Sequence, residues 1–276
     1  LAVVMGRRFL QRQDMPPPAF VLVVMAFASV AAGTVIALLA ERMDSSFYWL
    51  TLHPLLAYQA FVLLPILGVG KFILPRFLGL PVTGTYPDSR TPPPGWWREA
   101  GVAAAVGVLL LGTFFLEAAG WHRTAYAARF ALAGGWLITQ VPLRPSLAWR
   151  NGVVLMMVTG MVLLAGGYLA LATFPVWRTA LLHIVLGGGF GFITLGVATR
   201  VMYGHSGNRD RLQRHTGWLI TAGVLMLLGL ISRISADFMP RLLLSHYTYG
   251  ALFWTAGVLL WSALVLPKAL VPDPEE

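Results

Sequence analysis

Polar and apolar positions segregate along this chain on a long period. Apolar runs occupy 19–40, 47–70, 100–120, 124–143, 152–174, 179–203, 216–236 and 241–266, and polar residues collect in the gaps. Each run is near the roughly twenty residues that an α-helix needs to cross the hydrocarbon of a bilayer. Backbone groups in hydrocarbon must be satisfied within their own segment, and the period-two alternation of a β-barrel is missing, so the pattern predicts helices. The expectation is an all-α, polytopic transmembrane helix bundle of about eight spanning helices, a single transmembrane domain over 1–276. The longest gap, 71–99, contains Pro75, Pro81, Pro87 and Pro92 to Pro94 and reads as an irregular loop. No internal repeat is strong enough in the sequence to argue from.

The gaps also carry the topology signal. Arg7, Arg8, Arg12, Lys71, Arg76, Arg90, Arg98, Arg144, Arg150, Arg200, Arg209, Arg211, Arg214 and Lys268 fall on one side of the predicted bundle. The other side collects Arg42, Arg123, Arg178 and Arg241, with Arg129 and Arg233 left at membrane depth. Basic residues gather on the cytoplasmic side, so both termini and the Pro-rich loop are expected there. Trp49, Trp121 and Trp177 at outer ends, with Trp96, Trp97, Trp149 and Trp218 at inner ends, fit interfacial aromatic belts.

Composition agrees with this class: 57% of residues are hydrophobic and 11% charged. The excess of 20 Lys and Arg over 11 Asp and Glu does not mark a nucleic-acid binder, because these residues sit between apolar runs, where lipid headgroups are the expected partner. The absence of cysteine removes disulfides, thiolate metal ligands, iron–sulfur clusters and covalent haem attachment. Any metal has to be held by His, Met, Tyr, carboxylate or backbone. The chain opens on Leu1, which leaves room for an upstream segment, and the run after Arg7 and Arg8 is too long for a cleaved signal.

Polar residues inside the predicted spans are the candidate chemistry, since they are costly there without a partner. His53, His183 and His246 each lie four to six residues below the outer start of their helix, roughly 6–9 Å at 1.5 Å per residue. Three imidazoles in one layer would suit a haem or copper site, because neutral imidazole ligates both metals. The alternative is that each caps a helix-end carbonyl. His183, Gly187 and Gly191 share a helix face, leaving a flat gap that suits a neighbouring helix or a planar macrocycle. Arg129, Arg233 and Arg241 are candidate partners for haem propionates; pairing of Arg129 with Glu117 and of Arg233 with Asp237 is the structural alternative. Tyr247 and Tyr249 flank His246 as further hydrogen-bond donors, and His122 is assigned to the outer loop between the third and fourth runs. On the cytoplasmic face His205 and His215 could form a second metal site, within a basic cluster that otherwise anchors to lipid. No adjacent histidine pair, P-loop or dinucleotide fingerprint is present.

The run LLHIVLGGGFGFITLGVATRVMYGHSGNR resembles the hallmark segment of the NnrS family, through His183, Gly191, Thr194, Leu195, Val197, Thr199, Arg200, Gly204, His205 and Gly207. Ser206 and Asn208 stand where the family usually has Thr and Arg. A second stretch, WLTLHPLLAYQAFVLLPILGVGKFILPRFLG, resembles the family's His-x-His-Glu segment, with His53 at the second His, Thr51 in place of the first and Pro54 in place of Glu. The resemblance implies a shortened member of a group of bacterial inner-membrane, multi-pass proteins containing haem and copper and linked to nitric oxide tolerance. On that basis haem b, with copper as a second metal, is the expected cofactor, and a small gas or an electron is what a redox protein of this kind would handle. Other membrane subunits or a redox partner on the outer face are the expected partners. The rival expectation is a cofactor-free accessory or structural subunit. A transporter would require inverted repeats and broken helices, for which Pro65 is the lone hint.

Overall fold

In the computed structural model, residues 6, 7, 11, 14–42, 46–78, 90–140, 151–208, 212 and 216–271 are described, and among them there is helix and no strand. The long helices are α1 (Pro18–Leu39), α2 (Phe47–Phe77), α3 (Trp96–Ala118), α4 (122–140), α5 (Gly152–Thr173), α6 (Pro175–His205), α7 (Gly217–Phe238) and α8 (Pro240–Leu270). All but α4 are long and apolar enough to cross a membrane. The protein is therefore an all-α, multi-pass membrane bundle. Helix α4 is continuous, but its first half carries Arg123 and Arg129, which lower its hydropathy. Of the Pro-rich gap, Pro81 and Pro87 lie outside the described residues, as do Arg8, Arg12, Arg144, Arg150, Arg209, Arg211, Arg214 and His215, which the sequence assigned to the cytoplasmic side.

The chain forms two compact units, residues 1–76 with 80–119, and 77–79 with 120–276. In the first, α1 packs on α2 and α3. The α1–α2 contact is backbone on backbone: a Cβ placed on Gly33 would lie 2.9 Å from the Ala57 amide nitrogen and 3.1 Å from the His53 carbonyl oxygen. Gly33→Ala is therefore expected to push the two helices apart and destabilise the protein by about 1–3 kcal/mol. Gly112→Ala in α3, where a Cβ meets open space, is the neutral control, and thermal melting of the purified proteins measures both.

In the second unit α5 packs against α4, α6 and α7. Gly160 and Gly167 let α6 approach, with Ile193 and Val185 filling the space where Cβ atoms would be. Helices α7 and α8 also pack closely, and a Cβ on Gly229 would lie 2.8 Å from both the Gly250 carbonyl oxygen and the Trp254 amide nitrogen. Such close approach is how helices gain contact in a medium that supplies no hydrophobic drive between them. The hairpins α5–α6 and α7–α8 match. Each is a 22-residue helix, one linking residue and a 31-residue helix that starts on proline. The links, Phe174 and Met239, have the same φ of −126°. The likeness is in helix length and turn geometry, whereas the side chains differ, so the sequence does not display it.

Among the described residues three helices contain a π-helical stretch: Leu55–Ala60 in α2, Phe130–Gly134 in α4 and Ile184–Gly191 in α6. Each has a local cause in the sequence. Pro54 lacks the N–H that an α-helix needs at that point, and the glycines of the other two lower helix propensity. A π turn leaves backbone groups outside the α ladder, and the Ser29 hydroxyl, 2.8 Å from the Ala26 carbonyl oxygen, also reaches that of Leu56 at 3.3 Å. Helix α6 ends in a Schellman cap, with Asn208 N–H donating to Tyr203 O, Gly207 N–H to Gly204 O, and Gly207 at φ +69°. The Gly204–Asn208 segment thus serves as a helix stop, which explains glycine at 207.

Candidate functional site

The π segments begin immediately after His53-Pro54, after Arg129 and after His183. Helices α2, α6 and α8 place His53, His183 and His246 within their first three turns. His53 belongs to the first unit; His183 and His246 belong to the second.

All three imidazoles are held through Nδ1. In His53 it lies 2.9 Å from the Gly33 carbonyl oxygen across the α1–α2 contact. In His183 it lies 2.7 Å from the Thr179 carbonyl oxygen, one turn back. A carbonyl oxygen only accepts, so Nδ1 carries the proton in both and Nε2 keeps its lone pair. In His246, Nδ1 lies 3.2 Å from Ser232 Oγ, while that hydroxyl is 2.9 Å from the His246 carbonyl oxygen. Ser232 has one proton and gives it to the carbonyl, so Nδ1 again donates and Nε2 again holds a lone pair. A ring fixed by a backbone or hydroxyl acceptor at one nitrogen, with the other nitrogen basic, is the arrangement found in metal-ligating histidines.

The flat gap on α6 is filled by protein. The indole of Trp254, on α8, sits 3.4 Å from where a Cβ on Gly187 would be and 3.5 Å from one on Gly191. Of the two occupants the sequence allowed for that face, the neighbouring helix is the one observed.

The second unit also carries buried and half-buried charge and phenol. Arg129 is fully buried, its guanidinium carbon 5.3 Å from the ring centre of Tyr126 and 5.8 Å from that of Tyr168. Arg178 Nε donates to the Tyr126 hydroxyl at 2.8 Å, tying the start of α6 to α4. His122, assigned to a loop from the sequence, is the first residue of α4. Gly120 at φ +87° turns the chain sharply after α3, and the His122 ring stacks on Tyr126 with 6.5 Å between centres. Arg233 forms the ion pair with Asp237 at 3.0 Å, Tyr247 donates to the same carboxylate oxygen at 3.2 Å, and the guanidinium lies 4.4 Å from the Tyr247 ring centre. Arg241 is exposed in the turn that opens α8, and His205 is exposed at the end of α6. In the first unit Glu117 is fully buried near the end of α3.

Two further polar groups belong to this inventory, of which Gln59 was not singled out in the sequence. Gln59 Oε1, in the α2 π segment, and His122 Nδ1 are buried without a hydrogen-bond partner among the described residues. A glutamine inside an apolar run is itself a signal, because the run could not otherwise hold it cheaply. No group of three His, Asp or Glu side chains suited to a metal ion occurs among the described residues. That leaves sites needing one or two nitrogen donors.

The stretch of α6 from Thr194 to Gly207 has structural work as well. The Trp261 indole N–H donates to Thr199 Oγ1 at 2.8 Å, Thr199 donates to the Leu195 carbonyl at 2.7 Å, and the Tyr203 hydroxyl donates to the Leu264 carbonyl at 3.2 Å. The first and last of these bonds join α6 to α8.

Neither the curated proteins nor the solved structures contain a match to this chain. The family model described as NnrS protein matches residues 1–272. The histidine-bearing helices, the π-broken α6 and its Gly-His-Ser-Gly stop all fall inside that match, and the chain belongs to the NnrS family.

Proposed function

We propose that this protein binds haem through histidine Nε2 atoms, with copper as a second metal the same donors accept, and acts in nitric oxide or nitrosative-stress handling or in electron transfer. The observation that carries the reading is the common state of His53, His183 and His246: Nδ1–H engaged, Nε2 with its lone pair available. Haem asks for one or two such donors, and when bound it supplies an iron centre able to take an electron or a diatomic ligand. The chain's own part is to fix ring orientation. Gly33 O, Thr179 O and Ser232 Oγ hold the imidazoles, and the π segments after His53 and His183 set the direction in which the following turn leaves them. π segments of this kind are frequent at functional sites.

Arg129, Arg233 and Arg241 are the cations available to haem carboxylates. Arg241 is exposed, Arg233 would have to exchange Asp237 for a propionate, and Arg129 would be met inside the bundle. The bias of basic residues in the sequence supports a reading in which both termini lie on the cytoplasmic side, and the proposed location is a bacterial inner membrane. The rival reading, an accessory subunit without a cofactor, treats the same Nδ1 bonds as helix-end capping.

An absorption spectrum separates the two. Protein purified from cells supplied with haem precursor is expected to show a Soret band that shifts on adding nitric oxide. A colourless protein that also fails to take up added hemin would leave the accessory reading in place.

A further inference from the structure

A groove of about 490 Å³ runs between α4 and α5 in the second unit. Its floor is small and apolar: a Cβ added to Gly134 would only just reach van der Waals distance of the Ala165 Cβ, at 3.6 Å, and Ala131, Gly135 and Gly166 open it outward. Ile138 and Val162 flank it, 71% and 55% exposed. The α4 side is built by the π segment Phe130–Gly134, and α5 is a spanning helix, so the opening faces hydrocarbon. Seven residues before Phe130, about 10 Å along the helix, Arg123 is exposed in the first turn of α4. It has no acidic partner among the described residues. Ala127, one turn on, is exposed on the path between them. A cation at the interface above a trough of small apolar residues matches a molecule with an anionic head and a hydrocarbon chain.

We propose that the α4–α5 groove is a binding site for an anionic phospholipid, with the phosphate on Arg123 and one acyl chain lying over Ala131, Gly135 and Gly166. Guanidinium pairs well with phosphate oxygens, and an apolar trough otherwise left to loosely packed lipid gains contact by holding one ordered chain. The site stands independently of any haem.

Native mass spectrometry of the detergent-purified protein, titrated with phosphatidylglycerol and with phosphatidylcholine, tests it. The wild type is expected to retain phosphatidylglycerol over phosphatidylcholine by about fivefold, the effect of one interfacial cation. Arg123→Gln should remove that preference, whereas Arg98→Gln, at another exposed arginine, should not. Gly135→Leu and Gly166→Leu, each filling the groove from one wall, should lower retention of both lipids. Glycerol phosphate at the same concentration should not displace the lipid; if it does, the arginine is a simple anion site. Equal retention by the wild type and both leucine variants would overturn the proposal. So would a dimer that either leucine substitution dissolves, because the groove would then hold a second copy of the chain.

Discussion

Arg129→Ala is expected to destabilise the protein by about 3 kcal/mol or more, and Arg129→Lys to recover little of it. The guanidinium is fully buried and lies against the faces of Tyr126 and Tyr168. Truncation leaves a void of the kind that costs about 2–5 kcal/mol in a packed core. It also removes desolvated cation–π contacts worth up to about 2 kcal/mol. Lysine restores charge but not the planar group that spans two rings, so it is not a conservative replacement here. Arg178→Gln should cost less, about 1–2 kcal/mol, because it removes one hydrogen bond to Tyr126 from a less buried position. Melting temperatures in detergent measure all three. If Arg129→Lys melts with the wild type, the guanidinium has no special place beside the two tyrosine rings.

Deleting Gly188 is expected to leave a folded protein with an altered His183, whereas deleting Val197 should prevent folding. A π segment holds one residue more than the α ladder needs, and Ile184–Gly191 contains three consecutive glycines, so removal of one lets α6 close into α-helix. The bonds beyond it, from Trp261 to Thr199 and from Tyr203 to Leu264, can then survive. A deletion at Val197, inside regular α-helix, rotates the helix on one side by about 100° and breaks either those bonds or the packing of α6 on α5. Native yield reads the folding difference, and the cofactor spectrum reads His183. Equal loss of folded protein in the two deletions would mean that the π stretch is no reservoir of the extra residue.

The sequence made the spans legible because apolar run length is a local property. It could not reveal the π segments, since one additional residue in a helix hardly disturbs a hydrophobic run. The candidate histidines and arginines stood out because ionisable residues at membrane depth contrast with 57% apolar composition. What holds those residues was partly visible. The Arg233–Asp237 pair follows from spacing on one helix, but Ser232 on His246, Gly33 on His53 and Arg178 on Tyr126 join different helices. The glycine face of α6 had two possible fillers, and only the packing of α8 identifies Trp254. His122 was read as loop because α4 begins on the polar residues His122, Arg123 and Thr124, ahead of its apolar run.

The central claim is that histidine Nε2 atoms with engaged Nδ1 partners hold an iron porphyrin. The direct measurement is the visible spectrum of His53→Gly, His183→Gly and His246→Gly proteins loaded with haem, before and after adding imidazole. The account predicts that at least one glycine variant loses the wild-type Soret position and regains it when imidazole fills the vacated space. Spectra unchanged in all three variants, or no bound haem in the wild type, would contradict it.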